Sequence, residues 1–262
     1  MTQTTFDGPA ARDLEIVYQT PDLIAQRVRV IDLVAPRPGE HILDIGVGPG
    51  LLAYDLARLT GPAGRVVGLD VSPDMLAIAR ERLASQAHAE CLEGDAVRLP
   101  LPDGGFDAAV STQVYEYVAD MPAALAELYR VLRLGGRALI LDTDWRSIVW
   151  HSGDETRMAR VLACWDDHLA NPHLPAILGP MLTAAGFTVR RVEIAPMLSP
   201  GWQDASYAAG IFRAIDAFVR LNGARHGLAD DEIKAWRADQ LRLIERGEFF
   251  FSLNRYLFLA TR

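Results

Sequence analysis

The sequence predicts an α/β fold in which a mostly parallel sheet is covered by helices. Two observations support this prediction. Short apolar runs alternate with segments of helical periodicity, and each run is apolar nearly throughout, as in strands that are buried on both faces. With 262 residues, the chain is long enough for one large domain, or a domain with a sizeable insertion, around a full hydrophobic core.

Five strands are predicted in the first part of this pattern, at 41–45, 65–69, 89–92, 106–111 and 137–142. Two of the helices between them have clear start signals. Ser72 and Pro73 form a cap followed by proline at the first helical position, and Asp120 with Pro122 opens another helix. The alternation predicts a doubly wound parallel sheet with right-handed crossovers.

A helical cap is predicted at residues 1–37, before the first strand. Its main helix opens at Thr20-Pro21, with Ile24, Val28 and Ile31 spaced to share one side. We expect this helix to lie across the top of the sheet.

The region after the fifth strand contains further elements. Helices are predicted at 154–169 and 178–185, a strand at 187–194, two more helical patterns, and a last strand within 249–260. The long helical stretch at about 198–247 is the natural place for a lid over a substrate.

Charge and cysteine content exclude several classes of protein. The 26 basic and 34 acidic residues give a net charge of −8 with no basic run, which disfavours a nucleic-acid partner. Cys91 and Cys164 form neither a disulfide framework nor a zinc motif. The sequence has neither a leader-like start nor a membrane-spanning apolar run, so we expect a cytoplasmic protein.

The most specific motif is the glycine-rich turn that follows the first strand. The strand contains Asp44, and glycines at positions 46, 48 and 50 let the backbone turn tightly with no side chain between it and a ligand. A dinucleotide fingerprint would place its third glycine at position 51, where Leu51 stands. An NAD-dependent oxidoreductase is therefore disfavoured.

Residues 41–50 resemble the first motif of class I S-adenosylmethionine-dependent methyltransferases: a hydrophobic strand, an acidic residue and G-x-G-x-G. Residues 66–76, 93–107 and 128–140 look like that family's second strand, its adenine-binding turn with the fourth strand, and the segment entering its fifth strand. These segments cover about residues 38–145 in the family's order. The resemblance is closest to the menaquinone/ubiquinone-type branch of small-molecule enzymes, but those enzymes' substrate motifs are not recognisable here.

This resemblance implies a Rossmann-like seven-stranded sheet in the order 3-2-1-4-5-7-6, with the last strand antiparallel, in a methyltransferase domain spanning 38–262. It implies S-adenosylmethionine as cofactor, with S-adenosylhomocysteine as product, and no metal. The expected reaction is in-line methyl transfer to a small hydrophobic or aromatic metabolite. A donor-binding protein with a non-methylating role, such as cyclisation or ligand sensing, stays open, as does a homodimer.

The resemblance also implies roles for individual residues. Asp70 would accept hydrogen bonds from both ribose hydroxyls, a task suited to a carboxylate at the carboxyl end of a strand. Asp95 and the Ala96 N–H would bind adenine, and Met75 would lie against its ring. The full set of predicted donor-binding residues is Tyr18, Asp44, Gly46, Gly48, Gly50, Asp70, Val71, Met75, Asp95, Ala96, Gln113 and Val114.

Fewer residues are candidates for work on the methyl acceptor. Tyr115 follows the fourth strand, and His151 is the base whose ordinary pKa lies nearest neutrality. These two are the predicted catalytic residues. The predicted substrate contacts are Tyr18, Tyr115, Trp145 and Phe212, and for each aromatic residue the alternative is packing between lid and core.

Overall fold

A computed structural model describes residues 15–262 and contains a seven-stranded sheet. The strands are β1 (His41–Ile45), β2 (Arg65–Asp70), β3 (Ala89–Glu93), β4 (Phe106–Thr112), β5 (Leu132–Trp150), β6 (Thr188–Ser199) and β7 (Phe251–Thr261). Their order is β3-β2-β1-β4-β5-β7-β6. β1 to β5 pair in parallel, and β7 runs antiparallel to both β5 and β6. The predicted fold class and strand order are confirmed.

Helices cover the sheet and extend beyond it. They are α1 (Pro21–Val34), α2 (Leu51–Thr60), α3 (Pro73–Leu83), α4 (Met121–Val131), α5 (Glu155–Asp166), α6 (Pro175–Ala184), α7 (Tyr207–Asn222) and α8 (Asp230–Glu245). The predicted caps are present, because the Ser72 side chain accepts from the Met75 N–H and that of Asp120 from the Ala123 N–H. Within residues 15–262, no helix has the length and apolar character required to cross a bilayer.

β5 and β6 extend well beyond their predicted ends, and β5 shows why. β5 begins at Leu132 and continues to Trp150, although Asp142, Asp144 and Arg146 interrupt its apolar pattern. The extension is formed because β7 pairs with it out to Phe251, across an irregularity between Asp144 and Val149. Pairing with a distant strand thus overrides a local pattern that indicates a loop.

The inward face of α1 differs from the predicted one. Ile24 and Val28 are 41% and 52% exposed, whereas Leu23, Val30 and Val34 are buried. Polar side chains share the inward side because they meet partners on the sheet: Gln26 accepts from Arg255 of β7, and Arg29 pairs with Glu193 of β6. The apolar spacing alone therefore gave the wrong face. The part of the predicted cap before residue 15 lies outside the described residues.

Three hydrophobic clusters stabilise this arrangement. One lies under α4 and α6 and a second under α1, α2 and α3. The third, around Trp150, Phe212 and Trp236, packs α5, α7 and α8 against the far ends of β5 and β7. Phe212 lies 5.4 Å from Trp236 and 6.4 Å from Trp150 between ring centroids. The late helices therefore share a packed core with the sheet.

Arg137 of β5 joins α1 to the sheet. Its guanidinium donates to the Val34 and Ala35 carbonyls at the end of α1 and binds both oxygens of Glu40, at 2.9 and 2.7 Å. Burial by itself would raise the pKa of Glu40, but hydrogen bonds from Arg137 and from the Arg37 N–H lower it.

We expect Arg137→Met to lower the free energy of unfolding by about 2–3 kcal/mol at pH 7, because it removes charge-assisted hydrogen bonds from a largely buried site. Since the Glu40 pKa is lower in the folded than in the unfolded chain, its contribution is present above the ordinary carboxyl pKa and is lost as pH falls. The difference between the variant and the parent should therefore shrink below about pH 4. Urea titrations at several pH values measure it.

Arg29→Met is the control, because Arg29 pairs with Glu193 while its side chain is 41% exposed. This variant should lose about 1 kcal/mol or less. Equal losses in the two variants would contradict the role given to Arg137.

Candidate active site

The glycine-rich turn between β1 and α2 is attached to the end of β2. The N–H groups of Gly46 and Val47 donate to the Leu69 carbonyl at 2.7 and 2.9 Å, and that of Gly48 donates to Asp70 Oδ2 at 2.8 Å. Gly46, Gly48 and Gly50 all have positive φ angles. The turn therefore requires the left-handed backbone that glycine adopts without strain.

Gly46 has a second reason to be glycine, which is the close approach of the segment after β4. A Cβ atom at Gly46 would lie 2.1 Å from Val114 Cγ2. The missing side chain thus lets the ends of β1 and β4 pack together.

Asp70 ends β2 and presents its carboxylate beside this turn. Oδ2 accepts from the Gly48 N–H, and Oδ1 accepts from the Ser72 N–H at 3.0 Å. A carboxylate oxygen has two lone pairs, so each oxygen can accept one further hydrogen bond, as a vicinal diol requires. Burial raises the pKa of Asp70, and hydrogen bonds from the Ser72 and Gly48 backbone oppose the increase.

Asp44 lies beneath the turn and is 1% exposed. Burial and the charge of Asp70 raise its pKa to about 8, opposed by a hydrogen bond from the Ala53 backbone in the first turn of α2. Its Oδ2 has no hydrogen-bond partner among residues 15–262. A cationic ligand nearby would favour the charged form of this carboxyl.

The other predicted donor-binding residues lie along the same edge of the sheet. Met75 and Ala96 are buried, whereas Val71 and Asp95 are exposed. The Asp95 carboxylate accepts from the Val97 N–H at 3.1 Å, which shapes the turn after β3.

Gln113 and Val114 follow β4, and Gln113 has a φ of 58°. Their N–H groups donate to the Leu141 carbonyl and to Asp142 Oδ1, at 2.7 and 3.1 Å. These two donors are therefore used inside the protein, and the segment meets the glycine turn through the Val114 side chain instead.

A group of polar side chains is buried next to this edge, and we call it the buried polar cluster. Its members are Tyr18, Glu116, Asp142, Tyr207 and Arg255. Glu116 Oε2 accepts from Trp145 Nε1 at 3.3 Å, and Asp142 Oδ1 accepts from the Val114 and Glu116 N–H groups. The Arg255 guanidinium lies 4.3 Å from the centre of the Tyr207 ring. Five segments that are far apart in sequence thus meet beside α1 and α7.

Burial changes the protonation of this cluster. It raises the pKa of Glu116 to about 7, opposed by Arg255, and holds that of Asp142 well above its ordinary value, with a further increase from Glu116. Burial also raises the pKa of Tyr18 to about 12; the Arg255 charge opposes this increase, and Tyr207, Glu116 and Asp70 add to it. The charge of Asp70 thus acts on a member of the buried polar cluster.

Neither predicted catalytic residue is a member of this cluster, although Tyr115 directly precedes Glu116. Tyr115 is fully buried in the hydrophobic cluster under α4, and its hydroxyl has no partner among residues 15–262. His151 is exposed, with Nδ1 2.8 Å from the Glu248 carbonyl. His151 follows Trp150, which pairs with Phe251 of β7. Phe251 is four residues from Arg255 along the same strand, a separation of about 13 Å.

Of the predicted substrate contacts, Tyr18 and Trp145 lie at the cluster, and Phe212 lies in the aromatic core of α7 and α8. The sequence did not predict Arg255 or Tyr207 as site residues, and the structure brings them into contact. One signal was available, namely an arginine within the alternating apolar pattern of 251–261. Within residues 15–262, no group of three or more His, Cys, Asp or Glu side chains could hold a metal ion.

Comparisons with known proteins agree with this geometry. Residues 43–140 match the family described as a methyltransferase domain. Over 232 residues the chain is 34% identical to an uncharacterized 37.1 kDa protein in transposon TN4556 of Streptomyces fradiae, covering 88% of this chain and 65% of that protein. It is 43% identical over 117 residues to a demethylmenaquinone methyltransferase of Thermus thermophilus, covering 44% and 53%.

Among solved structures, phosphoethanolamine N-methyltransferase 2 of Haemonchus contortus, in complex with S-adenosyl-L-methionine, superposes with a TM-score of 0.63. The identity is 21%, with 99% of this chain and 58% of that chain covered, so the likeness concerns the fold. The two curated relatives are matched over about half to two thirds of their length. The glycine turn and Asp70 lie within residues 43–140, the region that matches the methyltransferase domain.

We expect Gly46→Ala to destabilise the protein by about 3 kcal/mol or more, because strain from a positive φ adds to the clash with Val114. The double variant Gly46→Ala/Val114→Ala should recover part of this loss, because it removes the clashing methyl groups. Thermal and urea unfolding measure both effects.

Gly227→Ala is the matched control, since Gly227 has φ 68° and ψ 19°, in the left-handed region, but a Cβ there would meet nothing within 4 Å. It should cost about 1 kcal/mol. A loss at Gly46 no greater than that at Gly227 would show that the close approach of β4 is not what requires glycine.

Proposed function

We propose that this protein transfers a methyl group from S-adenosylmethionine to a small acceptor with an apolar or aromatic surface. The observation that carries the proposal is the Asp70 carboxylate, which lies beside the glycine turn with one acceptor position left on each oxygen. The chain's own residues thus suit the donor. The methyltransferase match over residues 43–140 supports the same function.

In this proposal, each part of the edge contributes to holding the donor. Asp70 accepts from the ribose hydroxyls, Asp95 and Ala96 bind adenine, and Met75 lies against the ring. Asp44 holds the first turn of α2 in place and adds negative charge beside a cationic ligand. When bound, S-adenosylmethionine supplies a methyl group on a sulfonium centre, which a nucleophile in line with the leaving sulfur displaces.

We assign residues 38–262 to the methyltransferase domain and 198–247 to a lid. Helices α1 and α7 contribute Gln26 and Tyr207 to the contacts of Arg255, whereas α8 packs in the aromatic core beside α7. Burial of the cluster excludes water and fixes the orientation of an acceptor. Trp145, which donates to Glu116, forms an aromatic wall beside it.

We assign the role of base to Glu116. Its Oε1 has no hydrogen-bond partner within the described part of the chain, and a pKa of about 7 suits proton transfer near neutrality. The acceptor's electron pair forms the new bond to the methyl carbon while the C–S electron pair stays on sulfur. The acceptor's proton passes to Glu116, which returns it to solvent.

Asp70→Ala should weaken binding of S-adenosylmethionine by about 1–3 kcal/mol in calorimetry, the scale of a lost charge-assisted hydrogen bond. Asp103→Ala, at an exposed loop aspartate that pairs with Arg130, is the control and should bind like the parent. An unchanged dissociation constant in Asp70→Ala would show that the ribose binds elsewhere.

The same two variants test the reaction. A metabolite extract incubated with donor and parent protein should contain a compound heavier by one CH₂ unit, together with S-adenosylhomocysteine, and Asp70→Ala should form less of both. If the donor binds but no compound in a broad extract gains a methyl group, the non-methylating role is favoured and the proposal fails.

With the acceptor found in that extract, kcat/KM should rise with pH through about 7 and then level off, because Glu116 acts in its deprotonated form. Glu116→Gln should lower kcat at least tenfold and remove this rise. If Tyr115→Phe rather than Glu116→Gln removed the pH dependence, the assignment of the base would be wrong.

A further inference from the structure

Arg255 is a fully buried arginine that forms no salt bridge within the described part of the chain. It lies in the middle of β7, opposite Thr143 of β5 and Ala195 of β6. Its Nη1 donates to Gln26 of α1, whereas Nε and Nη2 have no hydrogen-bond partner among residues 15–262. A buried guanidinium with two unpartnered nitrogens is costly, so this arginine requires an explanation other than stability.

The two unpartnered nitrogens define the kind of ligand. Nε and Nη2 lie on the same edge of the guanidinium and present two nearly parallel N–H donors, the arrangement that matches both oxygens of a carboxylate. Arg29 in this protein shows that pairing, with Nε 2.8 Å from Glu193 Oε2 and Nη2 2.7 Å from Oε1. The corresponding edge of Arg255, itself a member of the buried polar cluster, has neither nitrogen partnered among residues 15–262.

The nearby groups reinforce the preference for an anion. Glu116 and Asp142 both have raised pKa values, so neither carries a full negative charge near neutrality, and they compensate Arg255 only in part. Thr143 Oγ1 is also buried without a partner in residues 15–262, and the Tyr207 hydroxyl faces the Arg255 and Gln113 side chains. Together with Arg255 they offer hydrogen bonds to oxygen atoms of a ligand.

The donor has a carboxylate of its own, but Arg255 lies away from the glycine turn. In the sheet order, β7 is three positions from β1, which is about 14 Å at the usual spacing between strands. Between them lie the ends of β4 and β5, with Glu116 and Trp145. Arg255 is therefore on the side of the cluster to which the proposed function assigns the acceptor.

We propose that the Nε–Nη2 edge of Arg255 binds the carboxylate of the methyl acceptor, which is then a small carboxylic acid with a planar apolar body. This inference rests on the proposed function, since it names the substrate class of the same site. The Tyr207 ring under the guanidinium and Trp145 beside Glu116 form the aromatic walls for that body. The carboxylate is the anchor, and a different atom of the acceptor receives the methyl group.

Benzoate and its neutral analogue benzamide test the proposal, with calorimetry on protein saturated with S-adenosylhomocysteine. Benzoate should bind the parent at least tenfold more tightly than benzamide. Arg255→Met should weaken benzoate binding at least tenfold and leave benzamide unchanged, and Arg255→Lys should give an intermediate affinity because it keeps the charge and loses the paired donors.

Arg262→Met is the matched control, because Arg262 also lies over a tyrosine ring, 4.6 Å from the centre of Tyr129, but away from the cluster. It should bind benzoate like the parent. Without ligand, Arg255→Met should unfold at the same temperature as the parent or higher, because an unpaired buried charge is replaced by an apolar side chain. A large loss of stability would identify Arg255 as structural and overturn the proposal.

Two further results would overturn it. One is equal binding of benzoate and benzamide by the parent. The other is weaker binding of S-adenosylhomocysteine by Arg255→Met with benzoate binding unchanged, which would place Arg255 in the donor site. Failure of the proposed function gives a different result, because the parent would then bind no S-adenosylhomocysteine. In that case benzoate and benzamide would be compared on the protein without S-adenosylhomocysteine.

Discussion

The insertion of β7 between β5 and β6 is the constraint on which the rest of the structure depends. β7 pairs with both neighbours along most of its length, and this pairing extends β5 to Trp150 and β6 to Ser199. The extended strands support the aromatic core that holds α5, α7 and α8. The same insertion brings Arg255 opposite Thr143, and thus places a positive charge beside the ends of β4 and β5.

Backbone and side chains have different tasks on the two sides of the proposed site. On the donor side, backbone N–H groups of the glycine turn hold Asp70, and the absence of a Cβ at Gly46 makes room for Val114. On the acceptor side, buried side chains dominate, and several of their polar atoms have no partner among residues 15–262. Unsatisfied buried groups are costly, so their concentration at one place is better explained by a ligand than by folding.

Burial also couples the protonation states of the two sides. The pKa values of Asp44 and Glu116 are raised to about 8 and about 7, and the charges of both Asp70 and Glu116 raise the pKa of the Tyr18 phenol. In such a low-dielectric region, a cationic donor and an anionic acceptor would each change the charge of the groups that face them. Binding at one side is therefore expected to affect the other through charge as well as through contact.

The sequence by itself determined the fold class, the first five strands, the caps at Ser72 and Asp120, and the glycine turn with Asp70. These features are local, because turn conformation, strand burial and helix capping depend on residues close together in the chain. The strand order came from the resemblance of those motifs to a known family, and the structure confirms it.

Only the tertiary structure decided the inward face of α1, the length of β5, the core position of Tyr115 and the position of His151 away from the buried polar cluster. It also decided the pairing of Arg255 with Gln26 and Tyr207, which are separated from it by long stretches of chain. The physical reason is that strand pairing and burial of polar groups depend on which distant segments meet, and no local pattern specifies that.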